Sequence, residues 1–438
     1  MRSLLHRTKR GLTLLFHSIR LRLWRITSNT QSVAGSDLCQ TCIALGPTFI
    51  KLGQILSSRP DLIGYERAQA LSILQDQLPA APIHLIEQSI QSALGGPLSQ
   101  YFSQFDPIPV GAASIAQVHH AILINGEHVA VKVLRPNIEQ ELKRDLGLLL
   151  WLARLFTFFM PRHKRLKLVE VVELLKKTTL LETDLRLEAA AADELRQQHK
   201  NNKSIYIPKV YWNNTTQKIL TLEWLEGKPI RSSINILSHE QRRQLAQDFA
   251  VHFFQQAYQY GFFHADLHPG NILILEDGRL ALIDFGITGR LSEQTKRYVA
   301  RILKGFLERD YAEVARVHFA AGYVSNNHCP GLFSQACRAI GEPIFGQQAQ
   351  HISIAKLLIH LFKVTEDFDM ETQPQLLLLQ KSLVLVEAIG TLIDPEVNLW
   401  QLAAPWMQEW GKRHLSLEAE ISRHVKEYIL NKWIHRSI

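Results

Sequence analysis

Apolar residues along the chain follow two rhythms. Between residues 38 and 100 they recur at helical spacing, with breaks at Gly46-Pro47, Arg59-Pro60 and Pro79 and no strand-like alternation. From about Tyr101 the rhythm shortens. Residues 117–121 and 128–134 are compact apolar runs split by Asn125-Gly126, which predicts a β-hairpin. Two more β-like runs fall at 205–212 and 218–224, and residues 138–200 between these strand pairs read as one long helical stretch. From Ser238 the pattern is helical again, interrupted by 272–275 and 280–283 around Asp277-Gly278, a second tight hairpin. A β-rich lobe followed by an α-rich lobe is an α+β arrangement. It divides the chain into an arm (1–36), a helical extension (37–100), an N-lobe with inserted helices (101–226), a C-lobe (227–400) and a C-terminal amphipathic helix (401–438).

Composition narrows the class. A chain of 438 residues, 46% hydrophobic and 21% charged, is long enough for two or three packed units and too apolar for disorder. Four cysteines are too few for a disulfide framework and suit a reducing, cytosol-facing compartment. No window offers the ~18 uninterrupted apolar residues of a spanning helix. Residues 146–160 are short and contain Arg154, and 376–393 contain Lys381 and Glu387, so both read as buried helices.

The net charge of +8 changes the picture only through its location. Arg2, Arg7, Lys9, Arg10, Arg20, Arg22 and Arg25 place seven of the eight charges in residues 1–36, with no acidic residue before Asp37. The rest of the chain is near neutral, so a basic nucleic-acid groove is not supported. In the arm, Leu5, Leu12, Leu15, Phe16, Ile19, Leu23 and Ile26 recur at helical spacing beside Trp24. A basic amphipathic helix of this kind suits an anionic membrane surface. A solvated helix packed on its own protein and a cleaved transit peptide are the alternatives.

The segment richest in chemistry is His264-Ala265-Asp266-Leu267-His268-Pro269-Gly270-Asn271, with Asp284-Phe285-Gly286 beginning thirteen residues after Asn271. Phosphoryl transfer needs an acceptor held in line and metal charge on the β/γ-phosphates. In that pattern Asp266 orients or deprotonates the acceptor, while Asn271 and Asp284 hold metal. A helix cap and a turn would explain Asp266, Asn271 and Asp284 separately, but not their joint spacing around a hairpin. Upstream, Val129-Ala130-Val131-Lys132 occupies the strand where a kinase carries its phosphate-gripping lysine. Read alone, such a strand lysine is only a solvated side chain.

Three further segments resemble the signatures of the UbiB/AarF family of atypical kinases. They are Lys51-Leu52-Gly53-Gln54, the alanine-rich Gly111-Ala112-Ala113-Ser114-Ile115-Ala116-Gln117-Val118-His119, and Glu182-Thr183-Asp184 leading to Glu188. The resemblance spans roughly residues 38–400. It implies a two-lobed protein-kinase-like fold with a family-specific N-terminal helical extension, and ATP or ADP with Mg2+ or Mn2+ held between the lobes. It further implies nucleotide contacts at Val110, Gly111, Ala112, Ala113, Ser114, Ile115, Ala116, Gln117, Val118, Lys132, Glu223 and Leu225. Glu188 becomes the ion-pair partner of Lys132, and Asp266, Lys132 and Glu188 the catalytic set. Glu182 and Asp184 match the pair that meets the K-x-G-Q helix, where Lys51 and Gln54 share a face as regulatory residues. Being two positions apart, Glu182 and Asp184 cannot both reach one group directly. In the family that helix covers the place where a protein kinase admits a peptide, so the implied acceptor is a small molecule, a lipid or water.

Alanines in place of a glycine-rich loop restrict φ and predict a stiffer nucleotide clamp. The chain departs from the family at Ala191, where Asn is common, and at Glu387-Ala388, where Glu-Gly is common. No counterpart of the family's spanning tail is expected, because Leu417, Ile421, Val425, Tyr428, Ile429 and Trp433 form only an amphipathic stripe. The implied location is cytoplasmic and peripheral on the inner membrane, or matrix-facing in an organelle, with ubiquinone-biosynthesis proteins as partners. Cys39 and Cys42 lack a second zinc-like pair, and the nineteen histidines are scattered; His264 and His268 read as braces of the loop. Three functions remain open: a small-molecule or lipid kinase or ATPase in ubiquinone or isoprenoid-lipid metabolism, an antibiotic- or sugar-type phosphotransferase, and a nucleotide-gated scaffold.

Overall fold

The computed structural model describes residues 33–57, 67, 70–71, 80–159, 168–200, 202–345, 367–370, 373–396 and 398–415. The basic arm before residue 33 and the stripe beyond residue 415 lie outside them. The chain forms two compact units: one holds the described residues up to Ala190 together with Lys209–Trp224, the other Ala191–Pro208 and the described residues from Leu225 on.

The first unit is built on an antiparallel sheet with the strand order Phe102–Phe105, Ala116–Leu123, His128–Leu134, Ile219–Glu223, and Gly111–Ala112 also pairs with Ala116–Leu123. Its central hairpin turns at Asn125-Gly126, where Gly126 has φ 86°, a left-handed conformation that glycine adopts without strain. Alternation does the rest. Val129, Val131 and Val133 are fully buried against Phe102, Ala121, Ile219 and the helix Ile83–Leu94 through Ile86 and Ile90. Each such valine contributes about 1.5–3 kcal/mol of burial. The alternate residues, Lys132 among them, face the other way.

The single helical stretch expected over 138–200 is three helices: Ile138–Phe159, Leu168–Glu182 and Leu185–Gln198. The last break has a local cause. Asp184 Oδ1 accepts from the Arg186 amide at 3.1 Å, satisfying a donor that the first helical turn leaves unpaired. A second correction concerns residues 146–159, which are not wholly buried. Leu142, Leu146 and Ala153 face inward, but Trp151, Phe158 and Phe159 are 59%, 78% and 70% exposed, with Leu155 beside them. These four are spaced i, i+4, i+7, i+8 on the opposite side of a helix that is apolar on both faces. The helix Pro47–Ser57 seats Phe49 with Cys42, Leu45 and Leu71 in a small separate core.

In the second unit the sheet order is Ile205–Tyr206, Leu280–Leu282, Ile272–Leu275, Gly227–Pro229. The β-like run at 205–212 is therefore divided: Ile205–Tyr206 lies in this sheet, while Val210 makes an antiparallel bridge to Leu222 of the run at 218–224. Ile205–Tyr206 pairs in parallel with Leu280 and Ala281, whereas Ile219–Glu223 lies on the strand of Lys132 in the first unit. Pro208 follows closely and has no N–H to continue a ladder. A two-stranded ribbon joins Phe262–His264 to Thr288–Arg290. The helix His239–Phe254 begins with a capping box between Ser238 and Gln241. Phe306, Tyr311, Val314, Phe333 and Cys337 form a core among the helices Glu293–Leu307, Tyr311–Ala320 and Pro330–Phe345. Residues Gln375–Ile393 of the helix Pro374–Ile393 are, by length and composition, long and apolar enough to cross a membrane despite Lys381 and Glu387, and 39% of that stretch is buried. The sheet-then-helix character is α+β.

Candidate active site

In the first unit the face of the central strand opposite the valine core presents Lys132. Its ammonium meets both oxygens of Glu188, at 2.7 and 2.9 Å. The side chains are only 16% and 8% exposed. Glu188 sits in the first turn of Leu185–Gln198, where the helix dipole favours a carboxylate.

The alanine-rich segment is a tight hairpin. Gly111 and Ala112 pair with Val118 and Gln117, and the Ala113 amide donates to Ala116 O at 2.8 Å. Arg135 clamps it from the next strand's end, its amide on Ile115 O at 2.8 Å and its Nε on Ala113 O at 3.0 Å. Val110 is exposed and donates its amide to Val118 O. Ser114, Ile115 and Ala116 are buried, and the Ser114 hydroxyl has no hydrogen-bond partner. The Gln117 side-chain amide is engaged within the protein. That amide is buried, accepts from the Ala81 amide at 2.8 Å and lies 2.7 Å from His119 Nε2. Glu223 accepts from the Lys209 amide at 3.0 Å, and Leu225 is where the chain returns to the second unit.

Lys51 pairs with Glu182 at 2.9 Å, both side chains mostly buried. One turn before Lys51, the Thr48 hydroxyl donates to buried Asp145 at 2.9 Å, tying this helix to Ile138–Phe159. Gln54 is half-buried, and its backbone carbonyl accepts from Ser57. Asp184 turns instead to Arg186, at 2.7 Å, so the two carboxylates part as their spacing requires.

The second unit carries the loop of Asp266. His264 is fully buried, and burial pushes its imidazole down, against the pull of Asp284. Its Nδ1 accepts from the Asp266 amide at 3.1 Å, and its Nε2 bonds the Asp284 carbonyl. His268 Nδ1 accepts from the Gly270 amide at 2.9 Å. Asn271 Nδ2 donates to the Asp266 carbonyl at 3.1 Å, which directs its amide oxygen elsewhere. Asp284 Oδ1 accepts from Gly286 N at 2.9 Å, and buried Phe285 packs edge-on against His264. The Asp266 carboxylate is bonded to Lys381, at 2.9 Å. Asn271 and Asp284 offer hard oxygen donors, which suit Mg2+ or Mn2+ better than a thiophilic ion. Two protein donors are few for any dedicated cage, and among the described residues no group of three or more His, Cys, Asp or Glu could hold a metal. Magnesium sites completed by phosphates are built in this sparse way.

Sequence reasoning missed Arg135, the Thr48–Asp145 bond and Lys381. Arg135 follows the Val-Ala-Val-Lys strand closely, but nothing in the local pattern marks its partners. For Lys381 the signal was a lone cation in an apolar run, which was read only as interrupting a spanning segment.

These elements define a protein-kinase-like fold. The model of the ABC1 atypical kinase-like domain matches residues 73–318, and that of the UbiB helical domain matches 337–398. A probable protein kinase UbiB of Marinobacter nauticus is 39% identical over 420 residues, covering 93% of this chain and 76% of that protein. Its counterpart in Pseudomonas paraeruginosa is 39% identical over 399 residues, covering 90% and 75%. A solved Mycobacterium tuberculosis structure, Rv3197 with erythromycin, shares the fold with a TM-score of 0.53 at 24% identity, covering 80% of this chain and 90% of the other. The chain belongs to the UbiB family of ABC1 atypical kinases.

Proposed function

We propose that the protein binds ATP or ADP with Mg2+ or Mn2+ and transfers a phosphoryl group to a small molecule, a lipid or water, in support of ubiquinone or isoprenoid-lipid biosynthesis at a membrane surface. The observation that carries this is the Lys132–Glu188 pair. A nearly buried ion pair adds little net stability over apolar residues of the same shape, so its presence beside the clamped alanine-rich hairpin favours a ligand role. In this reading Lys132, oriented by Glu188, grips phosphate oxygens, and the hairpin held by Arg135 closes over the nucleotide. Asn271 and Asp284 hold the metal, which supplies charge neutralisation on the phosphates. Asp266 orients the acceptor and receives its proton.

The K-x-G-Q helix, fastened by Lys51–Glu182 and Thr48–Asp145, supports a non-protein acceptor by analogy with the family. The basic arm supports contact with anionic lipid, and the ubiquinone link follows the UbiB relatives. The test is nucleotide turnover by the full chain with Mg2+, with and without anionic liposomes and phenolic quinone precursors. Turnover that rises with liposomes or phenols is the expected result. No turnover under any of these conditions would contradict the reading.

A further inference from the structure

The helix Pro374–Ile393 reads PQLLLLQKSLVLVEAIGTLI, and Lys381 is its single basic residue. A lysine in such a run normally snorkels to water. Here its ammonium is instead turned onto Asp266 Oδ1 at 2.9 Å, with the two side chains 39% and 28% exposed. The partners are 115 residues apart in the chain, so no local helical geometry produces the contact.

The other groups around Asp266 leave this role vacant. His264 accepts at Nδ1 from the Asp266 amide and meets a carbonyl through Nε2, the pattern of a neutral imidazole. His268 accepts at Nδ1 from Gly270, so that nitrogen carries no proton. Asn271 bonds the Asp266 carbonyl and not its carboxylate. Among the described residues, the cation bonded to the Asp266 carboxylate is Lys381.

We propose that Lys381 is a positioning residue for phosphoryl transfer: it fixes the Oδ1 edge of Asp266, turns Oδ2 toward the acceptor and places a positive charge beside the developing phosphoryl charge. This rests on the function proposed above. In the step, a bond forms between the acceptor oxygen and the γ-phosphorus. The bond from that phosphorus to the bridging oxygen breaks, its electron pair leaving with the nucleoside diphosphate, and the acceptor proton passes to Asp266 Oδ2. A helix remote in sequence delivers the ammonium.

The test compares the full-length wild type with Lys381→Met and Lys381→Arg, measuring kcat, KM for nucleotide, Mg2+-nucleotide affinity and the unfolding midpoint. Lys381→Met is expected to lose about 10- to 100-fold in kcat, the scale of a misplaced general base, with KM and nucleotide affinity within about threefold of wild type. Lys381→Arg keeps the charge and should recover most of kcat. Wild-type or faster turnover by Lys381→Met would overturn the assignment, as would a loss that follows a lowered unfolding midpoint and is not rescued by arginine. If the wild type itself shows no turnover, the proposed function fails and this assignment with it. If the wild type turns over and Lys381→Met is indifferent, this assignment alone fails.

Discussion

The two units hold their polar groups by different means. In the first, each key lysine is locked by a carboxylate from the inserted helices, Lys132 by Glu188 and Lys51 by Glu182. In the second, the Asp266 carboxylate meets Lys381, but the backbone of its loop is held by neutral groups. His264 bonds the backbone at two points, the Gln256 amide accepts from the His264 backbone amide at 3.0 Å, and its nitrogen lies 2.7 Å from His252 Nε2. His252 lies in turn against His199, ring centroids 3.9 Å apart and planes inclined at 51°. The contrast makes the first unit vulnerable to removal of one charge and the second vulnerable to acid.

The largest effect is expected at the buried pair. Glu188→Ala removes the carboxylate from a mostly buried ammonium and should cost roughly 3 kcal/mol of first-unit stability. The double variant Lys132→Met/Glu188→Leu should regain most of it, since an apolar pair needs no compensation. Urea unfolding followed by fluorescence checks both, and a single-variant cost well below ~1 kcal/mol would mean that the pair is not a structural lock.

Acid sensitivity sharpens the other side. Burial pulls His199 and His318 down to about 4, from the usual 6.5, and His252 well below its ordinary value. These groups stay neutral in the native state while the unfolded chain protonates. Their contribution is therefore full above about pH 6.5 and is lost as pH falls toward 4. At pH 5 the loss is about 2 kcal/mol for each of His199 and His318. In the first unit His119 is lowered too, but a hydrogen bond to the Asp106 carbonyl opposes the shift. Unfolding of wild type and His318→Leu at pH 7 and pH 5 tests this, with a shallower pH slope expected for the variant. An identical slope would contradict it.

How far the sequence carries depends on the range of each signal. The Asn125-Gly126 hairpin and the Asp266 loop were legible because turn chemistry and motif spacing are local. The pairing of Lys132 with Glu188 came from a family resemblance, since nothing in spacing links residues 56 positions apart. The outward face of residues 151–159 was not legible: a helix apolar on both sides does not say which side the protein covers. The break at Asp184 carried a cap signal, yet it was hidden in a continuous helical pattern. Lys381 was beyond reach because its meaning depends on Asp266, far away in the chain.

The smallest effect on stability belongs to the alanine-rich hairpin. Ala112→Gly frees backbone dihedrals and should cost no more than ~1 kcal/mol. Its mark is expected in nucleotide selectivity, read as the ratio of ATP to ADP affinity. A variant that merely unfolds, or that treats both nucleotides as wild type does, would remove the hairpin as a clamp.

The central claim is that the second unit's Asp284 brings metal charge to a nucleotide while Asp266 acts on the acceptor. Thermal-shift titration of ATP and ADP, with and without Mg2+, measures it in wild type, Asp284→Asn and Asp266→Asn. Binding should require the divalent ion, vanish in Asp284→Asn, and persist in Asp266→Asn although that variant no longer turns nucleotide over. Unchanged Mg2+-dependent affinity in Asp284→Asn would contradict the account.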